Sequence, residues 1–200
     1  MSSGADAASV RVALPSAFSA GDLAPPPFQS PRLALEQWQS ARGPSGELAW
    51  SCAGGDASSW SADATELANG KLAELASGTA ARLRNHPTPM HVVATTEAGR
   101  ERTLEGEGAL ARTFVAFTPG RAHGCFVVCA SDSGACREAV RTAHLEGELV
   151  APPPPGWALR ALAFAVHHPD GALAAVLALV LAGAALAVLT RPKPKSAFRG

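Results

Sequence analysis

Two adjoining runs decide the fold class: Ala109–Thr118, ALARTFVAFT, and His123–Ala130, HGCFVVCA. Both are short, apolar and rich in β-branched and aromatic residues. Pro119-Gly120 between them is a turn signal, so the pair reads as an antiparallel hairpin. Upstream, Met90–Thr96 (MHVVATT) runs to a turn at Glu97-Ala98-Gly99. Arg100–Glu107 (RERTLEGE) alternates weakly up to Gly108. Turns at Gly99, Gly108 and Gly120 make these strands an antiparallel meander.

Further out, Leu33–Ala41 (LALEQWQSA) and Glu47–Cys52 (ELAWSC) flank Arg42-Gly43-Pro44-Ser45-Gly46 and predict an earlier hairpin. Strand periodicity places Leu48, Trp50 and Cys52 on one face. Val10–Leu14 alternates as a first strand. Ser61–Arg84 has helical composition, with Ser61 or Asp63 as cap, Glu66 in capping-box position, and a stripe of Leu67, Lys71, Leu72 and Leu75. Gly70 and Gly78 allow it to be two shorter helices. A last helix is expected at Gly134–Leu145, capped by Ser131, Asp132 or Ser133 and closed by Gly147, with Cys136, Val140 and Ala143 on one side. Gly54-Gly55 and Gly106-x-Gly108 read as turn glycines.

The sequence thus predicts an α+β fold: an antiparallel sheet packed by two helices, followed by a single C-terminal transmembrane helix. The order strand, hairpin, helix, meander, helix over Val10–Leu149 resembles the Mog1/PsbP-like α/β sandwich. That resemblance rests on element order, without a motif. It implies a binding or assembly factor rather than an enzyme, and fold analogy is weak evidence of function.

The membrane segment is read from GALAAVLALVLAGAALAVLT, residues 171–190, which holds no charge and one polar residue, Thr190. A spanning helix needs about 20 apolar residues, and a soluble helix of that length would carry a polar stripe. The chain then divides into a disordered N-terminus (1–9), an α+β domain (10–150), a Pro-rich linker (151–156), a juxtamembrane segment (157–170), the transmembrane helix (171–190) and a basic tail (191–200). In the juxtamembrane segment, Trp157–Val166 is too short to span and suits the headgroup layer, with Arg160 snorkelling. A stripe of Ala175, Ala178, Ala182 and Ala185 beside Gly183 would let copies of the span pack together. The expected partners are therefore the lipid bilayer and a protein partner or a second copy of the chain.

Orientation is argued both ways. MSSGADAASVRVALPSAFSAGD reads as no signal peptide, and a span followed by so short a tail inserts late, which leaves the domain in the cytoplasm of a bacterial inner membrane. Arg191, Lys193, Lys195 and Arg199 follow the span, however, and the positive-inside rule would put the tail in the cytoplasm instead.

Composition excludes some functions. The chain has 17 basic and 17 acidic residues. Setting aside the four tail positives leaves 13 basic against 17 acidic, about −4 for the rest. A nucleic-acid surface would be basic. The 14 Arg against 3 Lys, with abundant Ala, Gly and Pro, reflect a GC-rich, bacterial style of coding. No G-x-S-x-G or phosphate loop is present and no cofactor is called for. The Trp38, Trp50 and Trp60 set reads as packing.

The four cysteines, Cys52, Cys125, Cys129 and Cys136, are the most specific feature. Cys125, Val127 and Cys129 share a strand face; Cys136 begins the following helix. A strand-to-helix disulfide Cys129–Cys136 is geometrically reasonable, and Cys52 and Cys125, both on strands, are the candidate second pair. Free buried thiols are the alternative, as is a redox site with Cys136 at a helix N-terminus. A metal set of His91, His123 and Cys125, or of Cys129 and Cys136, lacks the close paired spacing of zinc sites. Two functions follow: a membrane-tethered binding or scaffolding domain, or a membrane-tethered thiol-redox protein using Cys129 and Cys136.

Overall fold

A computed structural model describes residues 8–26, 33–57, 62–96 and 99–152. The chain divides after Pro154, and everything described belongs to the first unit. The juxtamembrane segment, the span at 171–190, the basic tail and Trp60 lie outside the described residues. Among the described residues, no helix is long and apolar enough to cross a membrane.

The described part is an α+β fold. Its elements are β1 (Ser9–Arg11), β2 (Ser19–Ala20), β3 (Leu33–Gly43), β4 (Gly46–Asp56), α1 (Ala62–Arg84), β5 (His91–Thr95), β6 (Glu101–Gly106), β7 (Ala109–Thr118), β8 (Arg121–Ala130), α2 (Gly134–Thr142) and β9 (His144–Glu146). Seven strands form one antiparallel sheet in the order β2-β3-β4-β8-β7-β6-β5, and β1 pairs with β9 in a separate ribbon. The β7–β8 hairpin turns at Pro119-Gly120, where Gly120 has φ +74°, a backbone conformation that suits glycine. β5 forms one edge of the sheet and is exposed along its whole length.

Each face of the sheet carries its own core. On one, Leu48, Trp50, Cys52, Leu110, Phe114, Cys125, Val127 and Cys129 pack with Cys136, Ala139 and Val140 of α2 and with Val10 of β1. On the other, Leu104, Val115, Phe117, Phe126 and Val128 pack with Leu72, Ala76 and Ala80 of α1. The period-2 alternation of β8 accounts for this split, since Cys125, Val127 and Cys129 face one side and Phe126 and Val128 the other. Trp38 packs edge-on to Phe126 at 6.4 Å, its indole N–H donating to the Leu23 carbonyl at 2.7 Å.

Four local expectations change. First, α1 is one continuous helix of 23 residues. Gly70 and Gly78 lie on its outer side, with no atom within 4 Å of where a Cβ would stand. Its inward stripe is Asn69, Leu72, Ala76, Thr79 and Ala80, while Leu67 is 67% exposed. Small residues let the helix sit close to the sheet, which supplies the bulk; packing then offsets the weak propensity of the glycines. Second, Glu66 pairs with Arg102 of β6 at 2.6 Å; of the expected caps, Ser61 lies outside the described residues and Asp63 falls inside the helix rather than before it.

Third, α2 stops at Thr142 rather than Leu145, and His144–Glu146 becomes β9. Its N-cap is Ser133, which makes no side-chain cap bond. The early stop has a cause on β7: Arg112 Nη1 donates to the Val140, Arg141 and Ala143 carbonyls. Pairing with β1 then draws the chain out straight. Fourth, Gly54 and Gly55 are not turn glycines but lie inside β4. Gly124 on β8 is similar: a Cβ there would meet Leu72 Cδ2 at 3.3 Å, so glycine admits α1 to that face.

Candidate functional site

The cysteines come first because the sequence singles them out. Cys52 on β4 and Cys125 on β8 stand directly opposite in register and are disulfide-bonded. Cys129 near the end of β8 is bonded to Cys136 in the first turn of α2. None of the four is free, and all are fully buried in the same core. Cys136 does sit at a helix start, where a thiolate would be favoured. Thiol exchange also needs access for an attacking thiolate, and neither bond offers it.

The metal set does not assemble. His91 lies on β5, with β6 and β7 between it and His123 on β8. Cys125 is tied to Cys52, and no group of three or more potential ligands occurs among the described residues.

His123 instead belongs to a cluster that the sequence conceals. β3 carries a bulge: Leu35 pairs with Ala53 and Gln37 with Cys52, leaving Glu36 as the extra residue. A bulge re-aims a side chain. Here it lays the Glu36 carboxylate over Gly54, where any Cβ would collide with it. From there Glu36 Oε2 reaches His123 Nδ1 at 2.8 Å, and Oε1 pairs with Arg121. A carboxylate only accepts, so Nδ1 carries the proton. On the far side of the ring, His123 Nε2 lies 2.8 Å from Thr118 Oγ1.

Hydroxyl, imidazole and carboxylate in that order are the parts of a nucleophilic triad. Thr118 and His123 are 1% and 0% exposed, however, so an acyl carbon has no approach to the hydroxyl. The cluster serves packing: it ties the bulged β3 to the β7–β8 hairpin across β4, with both His123 nitrogens and both Glu36 carboxylate oxygens partnered. A sequence-visible signal exists in retrospect. Glycines inside a strand mark a bulge or a close approach, and Gly54 is that mark.

No family model, no curated protein and no solved structure matches this chain. The likeness to the Mog1/PsbP-like sandwich therefore stays one of element order.

Proposed function

We propose that the chain is a single-pass membrane protein presenting a small, disulfide-stapled α+β domain that binds or scaffolds a partner. The observation that carries this over the thiol-redox alternative is the complete burial of both cystines. A redox centre exposes at least one sulfur; a staple does not need to. The tether rests on the uncharged stretch at 171–190.

The domain faces an oxidising compartment in this reading. Cystines persist there and are reduced in most cytoplasms, and the four positive residues of the tail then lie on the cytoplasmic side as the positive-inside rule asks. This reverses the placement argued from late insertion.

A membrane-impermeant thiol reagent, applied to intact and permeabilised cells with and without reductant, tests both points. All four cysteines precede the span. The reading expects no labelling of the folded domain without denaturant, and labelling from outside once the domain is reduced and unfolded. Labelling that requires permeabilisation, without any reductant, would return the domain to the cytoplasm with free thiols. Labelling of the folded domain after mild reduction alone would favour the redox alternative.

A further inference from the structure

β6 begins at Glu101 and leaves the end of β7 without a full neighbour. Two short contacts continue the line: Val115 N–H donates to the Arg100 carbonyl at 2.7 Å, and Val150 N–H donates to the Phe117 carbonyl at 2.8 Å. Between these contacts opens a cavity of about 240 Å³. Its walls include Phe114, Phe117, Leu145, Leu149 and Val150, and its polar lining is Thr96, Arg100 and Glu101. Leu149 and Val150 are 49% and 38% exposed, an uncovered apolar rim.

The charges at the cavity are not balanced. The Glu101 carboxylate is taken by Arg112. Thr96 Oγ1 accepts the Glu101 N–H at 3.3 Å, which leaves its own proton to donate. Arg100 is half-buried, and its side chain has no partner among the described residues. Every other described arginine does: Arg11, Arg42, Arg102, Arg112, Arg121, Arg137 and Arg141 pair with carboxylates, and Arg82 and Arg84 donate to carbonyls. Arg100 lines the apolar cavity, and a guanidinium with no partner among the described residues is a half-made recognition site, since its planar fork fits a carboxylate.

We infer that this cavity binds a small organic carboxylate, its apolar body against Phe114, Phe117 and Val150 and its charge on Arg100, with the Thr96 hydroxyl as a second donor. Drug-sized ligands fill about 300 Å³ or more, so the body is a single ring or a short chain. The inference deepens the binding reading by naming a ligand class, and it does not depend on the membrane tether. Arg100 contributes its carbonyl to the fold and its side chain to the site, so substitution of the side chain leaves the fold in place.

The test is NMR titration of the isotope-labelled full-length protein with phenylacetate and with its neutral isostere phenylacetamide. Phenylacetate is expected to shift the Leu149 and Val150 methyl signals and the Arg100 Nε–H signal saturably. Phenylacetamide and the Arg100→Gln variant should each weaken binding by about tenfold or more, the loss of one charge-assisted contact, with the Gln variant's remaining spectrum unchanged. Absence of saturable shifts at these groups, equal binding of the amide, or undiminished binding by Arg100→Gln would each overturn the inference. None of those results bears on whether the cystines are buried, so the ligand class can fail while the binding reading stands.

Discussion

The carboxylate of Glu36 occupies the space where Gly54 would carry a Cβ: that atom would stand 2.6 Å from the Glu36 carboxyl carbon. A free surface glutamate would swing aside. This one is held by His123 and Arg121, so Gly54→Ala must break those contacts to fit. The expected loss is about 2 kcal/mol, the scale of a buried polar group deprived of its partner, read from urea unfolding. Glu36→Gln in the Gly54→Ala background should add less than it does alone, because both changes remove the same bonds. Full additivity would mean that the carboxylate is not what Gly54 makes room for.

Arg112 joins three elements, pairing with Glu101 of β6, donating to the carbonyls at the end of α2, and lying 5.1 Å from the Phe114 ring centroid. Lysine keeps the charge but not the fork. Arg112→Lys should lose about 1–3 kcal/mol and raise amide exchange in the last turn of α2. A variant as protected there as the parent would remove Arg112 as the cause of the early helix stop.

The two cystines should differ in worth. Cys52 and Cys125 are 73 residues apart, Cys129 and Cys136 only 7. By loop-closure entropy the long link contributes about 4 kcal/mol and the short one about 2 kcal/mol. Paired Cys→Ala variants, compared in urea, should therefore rank in that order. The reverse order would mean that native packing around Cys136 outweighs the chain-entropy term.

Gly70→Ala and Gly78→Ala should each stabilise the domain by about 0.5–1 kcal/mol. Both positions face open space on α1, and alanine restricts the unfolded chain and favours helix. Gly124→Ala is the control with the opposite sign, because its Cβ would press on Leu72. A rise in melting temperature for the first two and a fall for the third is the expected pattern.

How much was legible in the sequence follows from the range of each signal. β7 and β8 announce themselves because a strand buried on both faces must be apolar throughout, and the Pro-Gly turn between them is local. The shared face of Cys125 and Cys129 follows from strand period and the side that carries Cys136 from helix period, whereas period leaves disulfides and free buried thiols both open. The Glu36–His123 contact spans 87 positions and depends on a one-residue bulge, which leaves no periodic trace. β9 was hidden for a related reason. Its residues read as helix by composition, and only Arg112 and the distant β1 draw them out of it. The inward stripe of α1 is hard to see in the sequence because alanine and threonine carry little hydropathy, yet close approach to the sheet selects them.

The sheet order has a kinetic side. The strands on either side of the β4–β8 pairing form two local groups, β2-β3-β4 and β5-β6-β7-β8, in which short connections join β3 to β4 and each strand from β5 to β8 to the next. The β4–β8 register joins segments on opposite sides of α1. Local hairpins assemble quickly, whereas a pairing this distant in sequence must first meet the entropy of closing the loop. The central seam is therefore the slow step of assembly, and Cys52–Cys125 lies across it. Once oxidised, that bond keeps the two groups tethered even when the seam opens, so the folded domain returns from such an opening without repeating the search that first brought its halves together.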